Sequence, residues 1–325
     1  MRYLGRKIVF YGVALWAALT LNFILPRLMP GNPAEILLAR FKGRVNPKAI
    51  DAFMVAFGLN QHHTLIQQYG AYLVQLMHGN LGISITYYPE PVIQVLGQAL
   101  PWTLLLIAMA TIISFLIGTL AGIVAAWHRG GVFDSVAPGI FTFTSSFPYF
   151  WFALIMLYFL AYKAGWFPIG SAYAGNHGSF ALSNWPDLLY HTALPGFTIV
   201  VTSIGGWLLS MRNNMITTMG QDYIHMARAK GLARRRIMYQ YAARNAILPN
   251  MTGFALSIGF IVSGALLTEI VFSYPGLGYT LLQAVQNEDY PLLQGTLLLI
   301  AVAVLLANFL VDLLYVRLDP RVRNQ

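Results

Sequence analysis

Six times along this chain the sequence runs apolar for long enough to cross a lipid bilayer: residues 8–28, 99–127, 137–162, 191–212, 247–272 and 291–316. A helix needs about 20 predominantly apolar residues to span the hydrocarbon core. In lipid, every backbone polar group of such a segment must be satisfied internally. Runs of this length therefore predict an all-α, polytopic membrane protein with six transmembrane helices. The composition agrees, with 57% hydrophobic residues against about 45–50% in soluble domains. The first run follows a basic start (Arg2, Arg6, Lys7) and no small-residue cleavage site comes after it. It reads as an uncleaved first transmembrane helix and not as a signal peptide. The chain has no cysteine, which excludes disulfides, thiolate metal sites and a cysteine nucleophile.

Positive charge orients the bundle, because cytoplasmic loops collect Lys and Arg. Placing both termini inside leaves three basic residues at the N-terminus, Arg129 in the loop at 127–136, seven between 212 and 246, and three in the tail, Arg317, Arg321 and Arg323. Arg40, Lys42, Arg44 and Lys48 then lie outside, in a segment long enough for the rule to discount. The expected organisation is a cytoplasmic N-terminus and first helix at 1–29, an extracytoplasmic helical cap at 30–98, a five-helix core at 99–316 containing a cytoplasmic loop at 213–246, and a cytoplasmic tail at 317–325. Within the core, Gly118-x-x-x-Gly122 lets two helices approach closely. Pro148 and Pro195 mark positions where a kink is tolerated.

Catalytic signatures are missing. There is no G-x-x-x-x-G-K-[ST] phosphate loop, so the chain is not expected to hydrolyse nucleotide, and neither HExxH nor GxSxG occurs. His62-His63 are neighbours pointing different ways, and no metal site or cofactor is expected. Glu269 falls at the outer end of the fifth run, and Asp312 near the inner end of the sixth, where a basic neighbour such as Arg317 is its expected partner. Proton-coupled carriers bury more such groups. Their scarcity points to an energy source outside the chain.

The densest charge lies in ARAKGLARRRIMYQYAARNAILP, residues 227–249, with Arg228, Lys230, Arg234, Arg235, Arg236 and Arg244 and no acid. A helix is expected to start near Asp222, where an acid suits the positive end of the dipole, and to stop at Gly231. Helical spacing then resumes, with Ile237, Tyr241 and Ala242 on one side and Arg234, Arg235 and Gln240 elsewhere. Pro249 suits the first turn of a further helix. Attraction to anionic lipid explains the charge, but two short helices separated by glycine are shaped to dock into a partner.

The stretch DYIHMARAKGLARRRIMYQYAARNAILP resembles the coupling loop of ABC-importer permeases of the dipeptide/oligopeptide branch. It departs from the generic importer motif: His225-Met226-Ala227 stands where Glu-Ala-Ala would be, and Gly231 is eighteen steps from Pro249. LMPGNPAEILL (28–38), HGNLGISI (78–85), ALPWTLLL (99–106), LLTEIVFSYPGLGYTLLQAVQNEDYPLLQG (266–295) and DPRVR (319–323) extend the resemblance over essentially the whole chain. It implies the first permease of a heterodimeric pair, moving peptides or similar small solutes by alternating access. The implied partners are a second permease, two ATPase subunits that bind the ATP and Mg, an extracytoplasmic binding protein and membrane lipid, in the plasma or inner membrane. It assigns His225, Met226, Ala227, Arg228, Ala229, Lys230, Gly231, Arg234, Arg235 and Arg236 to ATPase coupling. Glu269, Pro275, Gly276, Gly278, Glu288 and Asp289 become candidates for an outer gate or substrate path, with a turn expected at Gly276-Leu277-Gly278. An importer for an oligosaccharide or nickel complex, and a self-sufficient secondary transporter, are the alternatives.

Overall fold

The computed structural model describes residues 2–28, 64–175, 180–259 and 266–318. The described part of the expected cap is therefore 64–98; its earlier half, together with His62-His63, residues 260–265 and the tail, lies outside the described residues. Helices dominate: α1 (Arg2–Leu28), α2 (Leu65–Met77), α3 (Val92–Trp127), α4 (Val132–Ser146), α5 (Tyr149–Met156), α6 (Trp185–Met219), α7 (Asp222–Ala229), α8 (Arg244–Gly259), α9 (Leu266–Val271), α10 (Leu277–Gln286) and α11 (Tyr290–Leu318). Four are long and apolar enough to cross a membrane, α1, α3, α6 and α11, with a fifth span if α4 and α5 count as one. The fifth expected run, 247–272, corresponds to α8 and α9, with residues 260–265 between them outside the described residues.

The chain divides into two compact units, residues 1–103 with 275–325, and residues 104–274, so that α3 begins in the first and continues into the second. In the first unit α1 packs along α11. Lys7 Nζ and Tyr11 OH both donate to Asp312 Oδ2 at 2.7 Å. Asp312 is thus held by the opposite end of the chain, because α1 and α11 lie side by side; the side chain of its expected partner, Arg317, lies outside the described residues. Helix α2 opens with a capping box at Thr64 and Gln67. It is tied to α1 through Thr20–Tyr69, Asn22–Tyr72 and Arg27–Gln68, with the Arg27 guanidinium 3.5 Å over the Phe23 ring.

In the second unit the small-residue pair of α3 meets α6. A Cβ at Gly118 would fall 2.9 Å from the Ile204 carbonyl oxygen, and one at Gly122 would fall 2.6 Å from that of Leu208. Only glycine permits this separation. Pro148 marks a sharp break, α4 and α5 meeting at 94°, and α5 runs on into a π-helical turn at Leu157–Lys163. Pro195, in contrast, sits inside an unbroken α6, where the Thr198 hydroxyl donates to its carbonyl at 2.7 Å.

Candidate functional site

The loop between α6 and α8 is built as expected up to Gly231. Gly220 and Gln221 end α6 and lead into α7, with Asp222 in its first turn. Its far end is a Schellman closure: Gly231 N–H donates to the Arg228 carbonyl at 2.9 Å, and Leu232 N–H to that of Ala227 at 3.3 Å. Gly231 carries the positive φ, +71°, that this closure requires. A turn at Arg234–Arg236 then passes into a π-helical segment, Ile237–Ala243, and on into α8.

Helix α7 has two faces. Ile224 and Ala227 are buried in one hydrophobic cluster with Ile123 and Ala126 of α3, Met211 and Met215 of α6, Ile237, Met238, Ala242 and Ala243 of the π-helical segment, and Ala246 of α8. Tyr223, His225, Met226, Arg228, Ala229 and Lys230 are exposed, as are Gly231 and Arg234 to Arg236. Ala227 thus departs from the expected docking set: it anchors α7 inward, because residues 224 and 227 share the apolar face. The other nine coupling candidates share one exposed loop. Pro249 departs as well. It lies six residues into α8 and not at its first turn, because Ala246 is held in the cluster and Asn245 Nδ2 donates to Tyr223 OH and the Tyr241 carbonyl. Lacking an N–H, Pro249 removes the intrahelical donor for the Asn245 carbonyl.

The outer-gate candidates do not form one exposed group. Within the second unit Glu269 lies in α9 with no exposed surface. The chain folds back behind α9 through Tyr274 N–H to the Glu269 carbonyl, 2.8 Å. The Tyr274 hydroxyl pairs with that of Thr192 at 3.1 Å. Burial pushes its ionisation up to about 12, assisted by Glu269 and opposed by the Thr192 hydrogen bond.

Within the first unit Pro275 is half-buried and Gly276 and Gly278 are buried. Gly276 is the residue before α10, and Gly278 lies inside its first turn. The expected Gly-Leu-Gly turn is therefore a helix start, held by Leu277 N–H donating to the Thr103 hydroxyl at 2.8 Å. Glu288 is half-buried at φ 50°. Asp289 is fully buried. It accepts from Ser84 Oγ at 2.5 Å, Thr86 N–H at 2.7 Å and Leu292 N–H at 3.1 Å. Its carboxylate pins the segment before α3 to the first turn of α11. Asp289 and Glu269 are thus interior groups of this chain, and neither is offered on an exposed surface to a ligand.

Two polar clusters beside the loop escaped the sequence reading. Asp134 is clasped by Arg212, with Nε to Oδ1 at 2.5 Å and Nη2 to Oδ2 at 3.1 Å. It also accepts from Gly130 N–H at 3.0 Å. Asn250 of α8, 1% exposed, bonds to α3 and α6. The available signals were a cation and an amide inside otherwise apolar runs.

A family model described as "Binding-protein-dependent transport system inner membrane component" matches residues 118–324, and the chain belongs to that family. It has the role of a permease in an ABC importer. The Di/tripeptide transport system permease protein DppB of Pseudomonas aeruginosa is 34% identical, over 97% of this chain and 95% of its own. The Dipeptide transport system permease protein DppB of Escherichia coli K12 is 33% identical over 100% and 98%. The Oligopeptide transport system permease protein AppB of Bacillus subtilis is 32% identical over 93% of each chain.

Proposed function

We propose that this chain is one of two membrane subunits of a peptide importer, with both termini and the α7 loop on the cytoplasmic side. Separate ATPase subunits bind the ATP and Mg and engage the exposed face of α7 through Tyr223, Met226, Arg228 and Lys230. The observation that carries this reading is the two-faced α7. One face is locked into a cluster shared by α3, α6 and α8, so a push on the other moves three membrane helices together. This chain supplies no chemistry of its own; it converts closure of the ATPase pair into alternating access for a solute delivered by an extracytoplasmic binding protein.

The path itself is read from α6. Its buried side is apolar (Ile204, Leu208, Met211, Met215). Ser203, Gly206, Ser210, Asn213 and Thr217 recur at helical spacing on the opposite side, all exposed except half-buried Ser203. A lipid-facing surface would be apolar, so this side faces a wet path shared with the second permease. Substrate class follows from the peptide permeases to which the chain is similar. The test is reconstitution in proteoliposomes with the second permease, ATPases and binding protein, measuring uptake across peptides, oligosaccharides and nickel complexes. ATP-dependent peptide uptake is expected. Uptake by this chain alone would overturn the importer reading in favour of a secondary transporter.

A further inference from the structure

The cluster that holds α7 ends, one helical turn further along α8, in a polar layer. Ala246 belongs to the cluster, and Asn250 follows four residues later on the same face of α8. Asn250 uses its full hydrogen-bonding capacity. Its Oδ1 accepts from Ser210 Oγ at 2.7 Å and Asn214 Nδ2 at 3.3 Å. Its Nδ2 donates to Thr119 Oγ1 at 3.4 Å and to the Trp207 carbonyl at 3.3 Å. The amide orientation is fixed by chemistry, because the Trp207 carbonyl can only accept and so must face the NH2. Two acceptor and two donor positions of one buried side chain are thus divided between α3 and α6.

This arrangement costs more than an apolar contact and brings a property that an apolar contact lacks. Apolar faces of helices transmit displacement through packing but can repack in a second register after a one-turn step. A four-point amide network has one register, since displacement along α6 strands the buried Asn250 amide. Its location adds to the point. Ser210 belongs to the polar side of α6, and Met211 and Met215 of the same helix pack against α7. Pro249, immediately before, leaves α8 one intrahelical bond short, so its own backbone ladder is weakest at that level.

We propose that Asn250 is a positioning residue for transport: it registers α8 against α6 and α3, so that displacement of α7 reaches the path-facing side of α6 instead of being absorbed at Pro249. It touches neither substrate nor ATPase. The inference rests on the coupling reading of α7.

The test uses the complete transporter in proteoliposomes and measures solute imported per ATP hydrolysed, beside ATPase co-purification and thermal stability. A wild-type complex that retains its ATPases and imports on ATP establishes the coupling reading independently of the variants. Asn250→Leu, of similar volume, is then expected to keep ATPase co-purification while import per ATP falls at least tenfold. Thr119→Val, an isosteric removal of one network bond in α3, is expected to lower the ratio about two- to fivefold, and adding it to Asn250→Leu should cause no further loss. If Asn250→Leu does not assemble, Thr119→Val alone decides. An unchanged ratio in the assembled variant, or import and hydrolysis falling in equal proportion, overturns the proposal.

Discussion

Gly231 offers the cleanest perturbation, because its substitution changes backbone energy and nothing else. The residue sits at φ +71°, and no heavy atom lies within 4 Å of where a Cβ would be. A side chain therefore meets no clash, and the whole effect is the cost of holding an L-residue in the left-handed region, roughly 1–2 kcal/mol. Asparagine tolerates that region, whereas β-branched residues are outliers there. The Schellman closure of α7 thus predicts a graded series. Gly231→Asn should lie close to wild type. Gly231→Ala should lose about 1 kcal/mol of closed loop, or about fivefold in apparent affinity for the ATPase, and Gly231→Val about 2 kcal/mol, or roughly thirtyfold. The assay is titration of purified ATPase against the membrane subunits in nanodiscs, with thermal unfolding of the membrane part recorded in parallel and expected to be unchanged. Binding of Gly231→Asn as weak as that of Gly231→Val would show that the position needs a bare surface and not a positive φ. Wild-type binding by all three would show that the α7 turn takes no part in docking.

Four further outcomes are expected. Gly122→Leu should lower the melting temperature of the complex, since even a Cβ stands too close to the Leu208 carbonyl at 2.6 Å and overpacking costs about 1–3 kcal/mol; an unaltered melt would show that α3 and α6 are not in contact there. Asp134→Ala should cost about 3 kcal/mol by leaving Arg212 without its buried acid, and Asp134→Ala with Arg212→Met should recover most of it in the same melting assay. Asp289→Ala should raise amide hydrogen exchange at Thr86 and Leu292 roughly tenfold, as removing the partner of a buried donor costs about 1–3 kcal/mol. Tyr274, with its ionisation pushed up to about 12 by burial, should stay neutral in the folded protein at pH 11. Below pH 10 both states are protonated and the group is silent; above it the unfolded chain loses the proton first, so stability falls as pH rises, which denaturation at pH 9 and pH 11 in wild type and Tyr274→Phe would register.

Legibility in the sequence followed the range of the forces involved. Apolar length announces a membrane helix locally, which is why α1, α3, α6 and α11 fall where the runs predict them. The stop of α7 was equally visible, because a glycine after a basic last turn is a local backbone signal. The partner of Asp312 was not visible, since Lys7 approaches it only once α1 and α11 pack. Pro249 misled for a related reason: proline at a helix start is a local preference, and the tertiary hold on Ala246 and Asn245 begins α8 earlier. Asp289 stands among the outer-gate candidates because nothing in its neighbours reveals Ser84 and Thr86, about two hundred residues away in the chain.

Those hidden partners bear on where the energy for transport enters. A proton-driven carrier needs buried ionisable groups that exchange protons between two sides. Here Asp289 is saturated by three hydrogen bonds, Asp134 is clasped by Arg212 and Asp312 by Lys7 and Tyr11. Each of these carboxylates holds one element against another. They are structural ties and a poor relay. The exposed face of α7 is, by contrast, a charged and aromatic surface backed by a cluster common to three membrane helices. Energy delivered there as mechanical displacement has a route inward through packing, which is the route that an external ATPase can use.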